Sequence, residues 1–189
     1  MTTRTVAVLV GSLRKGSFNR AIAEALAELS PPNVKYRFVE IGDLPYYNQD
    51  DEPNPSAEWV GFRDQIRSAD AVLFVTPEYN RSVPAVLKNA IDVGSRPYGR
   101  SVFDGKPGAV VSVTAGGLGA FGANHHLRQS LVFLNVPTLQ REAYISGAGT
   151  LFGENGELKE ETRKFLADYA KAFADWIETI VRARTPEPA

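Results

Sequence analysis

Three short polar stretches carry the residue types that chemistry needs, and each follows an apolar run. The first is Gly11-Ser12-Leu13-Arg14-Lys15-Gly16-Ser17-Phe18-Asn19. It sets hydroxyls, an amide and two cations around two glycines, where a strand-like run gives way to a helical pattern. A helix N-terminus presents unpaired N–H groups and the positive end of its dipole, which suits an anion. Ser12, Ser17 and Asn19 add neutral donors, and Arg14 adds a charge-assisted bond. Gly11 and Gly16 permit tight backbone with positive φ. In physical terms this is a phosphate cradle, although it matches neither GxxxxGK[ST] nor, on its own, GxGxxG. The plainer alternative makes Ser17 a helix cap and leaves Arg14 in solvent.

The second stretch is Pro77-Glu78-Tyr79-Asn80-Arg81-Ser82-Val83-Pro84. Two prolines stiffen it. Tyr79 suits stacking on a flat heterocycle, and Asn80 with main-chain groups suits the ring's polar edge. A capped turn leading into a helix at Val83 is the alternative. The third stretch is Thr114-Ala115-Gly116-Gly117-Leu118-Gly119-Ala120-Phe121-Gly122. Gly117, Gly119 and Gly122 satisfy GxGxxG, and Glu142 lies twenty residues beyond Gly122, where a ribose-binding acid stands in dinucleotide sites. That fingerprint belongs to the first strand–helix unit of its fold, whereas this loop follows the fourth strand of five. The glycines therefore read as letting backbone approach a flat ring closely.

Other chemistries are set aside by what the chain lacks. It has no cysteine, which removes disulfides, thiolate metal sites and thiol nucleophiles. His125 and His126 are adjacent and cannot face one metal from a helix, and the nearby acids lack ligand spacing, so no metal is expected. No G-x-S-x-G elbow is present. The formal net charge of −1 gives no footprint for nucleic acid. No apolar segment approaches the ~20 residues of a membrane helix, and the N-terminal run is too short for a signal core. The expectation is a cytoplasmic chain without membrane or nucleic-acid partners.

These loops must be held by the elements around them. Residues 5–10 and 71–76 are continuous apolar runs of strands buried on both faces. Residues 109–114 form another, and residues 34–41 and 138–145 complete five strands. Helical spacing predicts helices over 18–29, 57–68, 83–93, 122–134 and 157–181. Leu127, Leu131 and Leu134 form one stripe, and Phe165, Tyr169, Phe173, Trp176, Ile177 and Ile180 another. Residues 42–56 read as a long loop. Alternation of this kind implies an α/β fold with a parallel sheet covered on both faces, in strand order 2-1-3-4-5 or a Rossmann order. One domain is expected over 1–189, with a frayed tail from about 183 to 189.

Together, GSLRKGSFNR, TPEYNRSVPAVLKNAID and HLRQSLVFLNV resemble the NAD(P)H-dependent FMN reductases, in their chromate and quinone reductase branch. The resemblance spans roughly residues 5 to 180. It implies a flavodoxin-like three-layer sandwich with a five-stranded sheet of order 2-1-3-4-5. Ser12, Arg14, Ser17, Phe18 and Asn19 match the loop that holds the FMN phosphate. Pro77, Glu78, Tyr79 and Asn80 match the loop bordering the isoalloxazine, and Thr114, Ala115, Gly116 and Gly117 match the third flavin loop, here more glycine-rich than in the family. NADPH or NADH serves as reductant and a small-molecule electron acceptor is reduced, with no side chain required as acid or base. Lys15 and Arg81 stand where they would meet an incoming pyridine nucleotide. A homodimer, or a tetramer, is implied, with the flavin at a subunit boundary. The rival within the fold is a one-electron flavodoxin-type carrier, which is typically strongly acidic, unlike this near-neutral chain.

Overall fold

A computed structural model describes residues 2–153 and 156–184. Its five strands, β1 (Arg4–Val10), β2 (Val34–Phe38), β3 (Ala71–Thr76), β4 (Gly108–Val113) and β5 (Ala143–Ile145), form one parallel sheet in the order β2-β1-β3-β4-β5. The helices are α1 (Phe18–Leu29), α2 (Ala57–Arg67), α3 (Ala85–Gly94), α4 (Phe121–Phe133) and α5 (Glu160–Arg184). The sheet order is the flavodoxin-like one.

Successive side chains on a strand point to opposite faces, and both faces here are apolar. Val6, Val8 and Val10 pack with Ile22 and Leu26 of α1 and with Phe173 and Ile177 of α5. Ala7 and Leu9 join Trp59 of α2, Leu87 of α3 and Leu127 of α4 on the other face. Burying each such Val, Leu or Ile stabilises the fold by about 1.5–3 kcal/mol before entropy is counted. Both layers of helix are therefore fixed by the runs that make the strands.

Local chemistry sets the ends of the elements. Ser17 caps α1, its Oγ accepting from Arg20 N at 3.3 Å, and Ser56 caps α2, accepting from Trp59 N at 3.2 Å. Helix α3 begins at Ala85 rather than Val83. Pro84 is its N-cap residue, and a residue before proline is pushed out of helical backbone. Helix α5 starts at Glu160 rather than 157, because Leu158 is held in an antiparallel bridge with Phe152. It runs on to Arg184, so 183 and 184 are helical and the rest of the expected tail lies outside the described residues. Helix α4 starts one residue early, at Phe121. The long loop over 42–56 holds one 3-10 turn, Gln49–Asp51.

Two strands are shorter than expected. Val39 N still donates to Val8 O at 2.9 Å, but the chain then leaves the sheet and Val39 and Ile41 turn into the α2–α3–α4 core. On β5, Thr138 makes a single bridge to Gly108 and regular pairing resumes only at Ala143. Between them the Arg128 guanidinium donates to the carbonyls of Leu139, at 3.0 Å, and Arg141, at 3.5 Å. A side chain thus takes the carbonyls that a strand would give to its neighbour.

Candidate functional site

The chain leaves β1 toward the α1 layer and leaves β3 toward the α3 layer. The carboxyl ends of these adjacent strands therefore part, and ligands of open parallel sheets bind at such a switch point. Gly11 N donates to Val75 O at 2.8 Å. A Cβ on Gly11 would stand 3.2 Å from both Leu87 Cδ2 and Pro77 Cδ. Glycine lets the first and second loops start in contact.

The first loop turns at Gly16, whose φ is +64°, and enters α1. No backbone N–H from Ser12 through Asn19 has a hydrogen-bond acceptor among the described residues. The first N–H groups of a helix lack intrahelical partners, and here the preceding turn adds more. Asn19 is buried; its Nδ2 donates to Val113 O at 3.4 Å, and its Oδ1 has no partner. Arg14 is exposed, lies 5.1 Å from the Phe18 ring centroid and has no carboxylate within ion-pair range among the described residues. Ser12 and Arg14 also border a cleft of about 210 Å³ shared with Arg20 and Phe38. Ser17 is a cap, as the plainer reading had it, and the N–H groups before and after it stay unused.

The second loop is a tight hairpin turn. Tyr79 N donates to Ser82 O at 3.1 Å and Ser82 N to Tyr79 O at 3.0 Å. Asn80 and Arg81 between them have φ of +51° and +65°, the pair of left-handed residues that two-residue hairpin turns require. Asn tolerates that backbone better than most residues, which accounts for an amide at position 80. Tyr79 is 53% exposed. Pro77 is buried against Gly11, and Glu78 turns its carboxylate to α4, where Oε2 accepts from Ala123 N at 3.1 Å.

The third loop is braced from below. Thr114 Oγ1 accepts from Gly116 N at 3.2 Å; the Gly116 carbonyl accepts from Gly147 N at 3.2 Å and that of Thr114 from Ala148 N at 3.0 Å. Gly147 and Ala148, on the turn after β5, are site-supporting residues that sequence reasoning missed; the Gly in SGAG was their one signal. Ala115, Gly116 and Gly117 are exposed, and a Cβ on Gly117 would meet nothing within 4 Å. The other two glycines of the GxGxxG match make room for the protein itself. Gly119 has φ of +59° and no room for a Cβ, which would lie 2.7 Å from Tyr144 Cβ. At Gly122 a Cβ would lie 2.7 Å from Arg81 O.

The two histidines diverge. His125 Nε2 lies 2.9 Å from Tyr144 Oη, and His126 Nδ1 lies 3.0 Å from Ser82 Oγ. Burial first, and Glu142 second, push the Tyr144 phenol up to about 12. Among the described residues no three His, Asp or Glu side chains gather as metal ligands, and no helix is long and apolar enough to cross a membrane.

A family model described as NADPH-dependent FMN reductase matches residues 4–150. The chain belongs to that family. A quinone reductase of Pseudomonas putida is 60% identical over 176 residues, which cover 92% of this chain and 95% of the relative. The solved structure of FerB, a flavoenzyme NAD(P)H:(acceptor) oxidoreductase from Paracoccus denitrificans, superposes with a TM-score of 0.88 at 40% identity, covering 94% of this chain and 98% of that one. A flavodoxin from Pseudomonas aeruginosa, at 19% identity and a TM-score of 0.56 over 90% of this chain and 99% of its own, shares the fold alone.

The FMN reductase family takes its name from a cofactor that has a phosphate dianion at one end and a flat, polar-edged ring system at the other. The first loop fits the phosphate in donor count, since it carries a run of N–H groups without acceptors among the described residues, the N-terminus of α1 and a guanidinium without an ion-pair partner among the described residues. The open backbone at Ala115 to Gly117 and the exposed Tyr79 fit a flat ring.

Proposed function

We propose that this chain is an FMN-dependent NAD(P)H oxidoreductase that reduces quinones, or similar small acceptors, by two electrons. Membership of the FMN reductase family supports the cofactor and the reductant, and the 60% identical quinone reductase supports the acceptor. The observation that carries the reading is the row of N–H groups from Ser12 to Asn19, without acceptors among the described residues, at the sheet's switch point.

In this reading Ser12, Arg14, Ser17, Phe18 and Asn19 hold the phosphate. Arg14 supplies the charge, the backbone of Ser17 to Asn19 supplies aligned donors, and Phe18 keeps Arg14 over the loop through a cation–π contact. Pro77, Glu78, Tyr79 and Asn80 form one border of the ring, and Thr114, Ala115, Gly116 and Gly117 the other. When bound, FMN supplies the hydride-accepting and hydride-donating chemistry. The protein then needs no acid or base of its own. Its part is to hold the ring rigidly between two braced loops and to leave one face open to reductant and acceptor in turn. Exposed Lys15 and Arg81 flank that opening and suit a nucleotide's phosphates.

We also propose a homodimer built on α3 and α4, and a cytoplasmic location where NAD(P)H is at hand. Val132 and Phe133 at the end of α4 are 71% and 82% exposed, Tyr98 after α3 is 85% exposed, and a groove of about 1070 Å³ runs between the two helices past His126 and Ser82. Large apolar side chains so exposed mark association surfaces.

The test is an absorption spectrum of the purified chain with FMN, followed by anaerobic NADPH and then a benzoquinone. Flavin bands that co-elute with protein, bleach with NADPH and return with quinone are expected. Chromate, proposed as a further acceptor, enters in the quinone's place in a parallel sample. Flavin that never binds overturns the reading, and flavin that binds without bleaching turns it into an electron carrier. Light scattering on the same sample gives the oligomeric state.

A further inference from the structure

We propose that Glu78 is a positioning residue that locks the second and third loops into one rigid unit through the N-terminus of α4. This rests on reading those loops as the two borders of the flavin ring.

Helix α4 starts without a cap of its own. Its N-cap residue is Ala120, in left-handed backbone with φ of 56°, and no side chain there accepts from the first turn. Such donors need an acceptor, and a carboxylate at a helix N-terminus also meets the dipole favourably. Glu78 fills the role from another loop, its Oε2 accepting from Ala123 N at 3.1 Å. The second oxygen, Oε1, lies 3.3 Å from Arg81 Nη1. The Glu78 side chain is only 12% exposed, whereas that of Arg81 is 72% exposed. The sheltered bond to α4 is therefore the stronger tie, and the exposed ion pair contributes little.

Two further contacts point the same way. Gly122 has no side chain, and a Cβ there would lie 2.7 Å from Arg81 O and 3.0 Å from Glu78 Oε2. Only glycine lets the turn at 79–82 sit on α4. One turn further along, Ser82 Oγ meets His126 Nδ1 at 3.0 Å. The turn is thus fastened to α4, and α4 is entered directly from the glycine loop at 114–120. Neither border of the ring moves without the other. The glycine loop, braced from below by Gly147 and Ala148, is tied at its far end to a carboxylate on the opposite border.

The test separates reach from charge. Glu78→Gln keeps the length needed to accept from Ala123 N and loses the charge; Glu78→Asp keeps the charge and falls short by one methylene. The full chain is titrated with FMN by fluorescence quenching, and amide exchange at Ala123 is measured without flavin. Glu78→Asp is expected to lose protection at Ala123 and to raise the FMN Kd about tenfold, while Glu78→Gln stays within about threefold on both readouts. The proposal is overturned if Glu78→Asp loses Ala123 protection yet binds FMN like the wild type, or keeps that protection, or if Glu78→Gln is weakened as much as Glu78→Asp. Wild-type protein that fails to retain FMN overturns the underlying reading instead, a result no variant can mimic.

Discussion

Asn19 Nδ2 donates to the main-chain oxygen of Val113 across 3.4 Å. This one amide fastens the first turn of α1 to the end of β4, and so fixes the first loop relative to the third. Its Oδ1 is buried without a partner. Asn19→Asp keeps the shape, sets a carboxylate oxygen against the Val113 oxygen, and buries a charge beside the anion cradle. The expected loss is about 2 kcal/mol or more of stability, together with weaker FMN binding, read by thermal melts and flavin titration on one preparation.

Arg14 gives the opposite pattern. It is exposed and lacks an ion-pair partner among the described residues, so Arg14→Ala leaves the melting temperature of the flavin-free protein unchanged. FMN affinity falls about tenfold to a hundredfold, the worth of a charge-assisted bond to phosphate. Ultrafiltration of the loaded protein measures it. Unchanged retention would return Arg14 to solvent.

Gly94 tests the core away from the site. A Cβ there would lie 2.4 Å from Phe103 Cε2 and 3.2 Å from Phe62 Cε1. Gly94→Ala overpacks this junction by about 1–3 kcal/mol, which lowers Tm by about 2–4 °C per kcal/mol for a chain of this size. Trimming the opposing ring in the double variant Gly94→Ala/Phe103→Leu is expected to recover part of the loss. An additive double variant would sink the account.

Arg4 Nε donates to Glu178 Oε1 at 2.8 Å and Nη2 to Oε2 at 3.2 Å, tying the start of β1 to α5. The hydrogen bond from Arg4 holds the Glu178 carboxyl below its ordinary value of 4.5. A carboxyl with a depressed folded pKa stabilises the fold above its unfolded pKa, and loses that contribution as pH falls through the folded one. Glu178→Gln should therefore cost about 1 kcal/mol near neutral pH, with the gap closing as pH falls below the ordinary carboxyl value and through the depressed folded one. Urea midpoints across that range show it, and a gap that persists in acid would assign the loss to packing.

The parallel sheet and both helix layers were legible because they rest on periodicity, whereas the strand order, which periodicity left open, came only with the family resemblance. The run at 5–10, the Ser17 cap and the helical spacing over 18–29 left little choice for β1 and α1, and the sequence bounds of α1 and β3 match the structure residue for residue. What was hidden depended on contacts between distant residues. The truncation of β5 follows from Arg128 reaching two carbonyls of the next segment. The late start of α5 follows from the Phe152–Leu158 bridge. At the site, the positions of the loops were readable but the division of labour was not. Nothing local in Glu78 says that it faces α4, and nothing in GxGxxG says which glycine makes room for Tyr144, which for Arg81, and which for open space.

Arg128 has an effect beyond the length of β5. With the carbonyls of Leu139 and Arg141 already engaged, the outermost strand on that side offers only Ala143–Ile145 as regular backbone. Exposed strand edges are templates on which other chains add by pairing, the first step of sheet-to-sheet aggregation. Three residues are too short a template to register a partner strand. The same arginine that shapes the β5 segment therefore blunts this margin of the sheet against self-polymerisation.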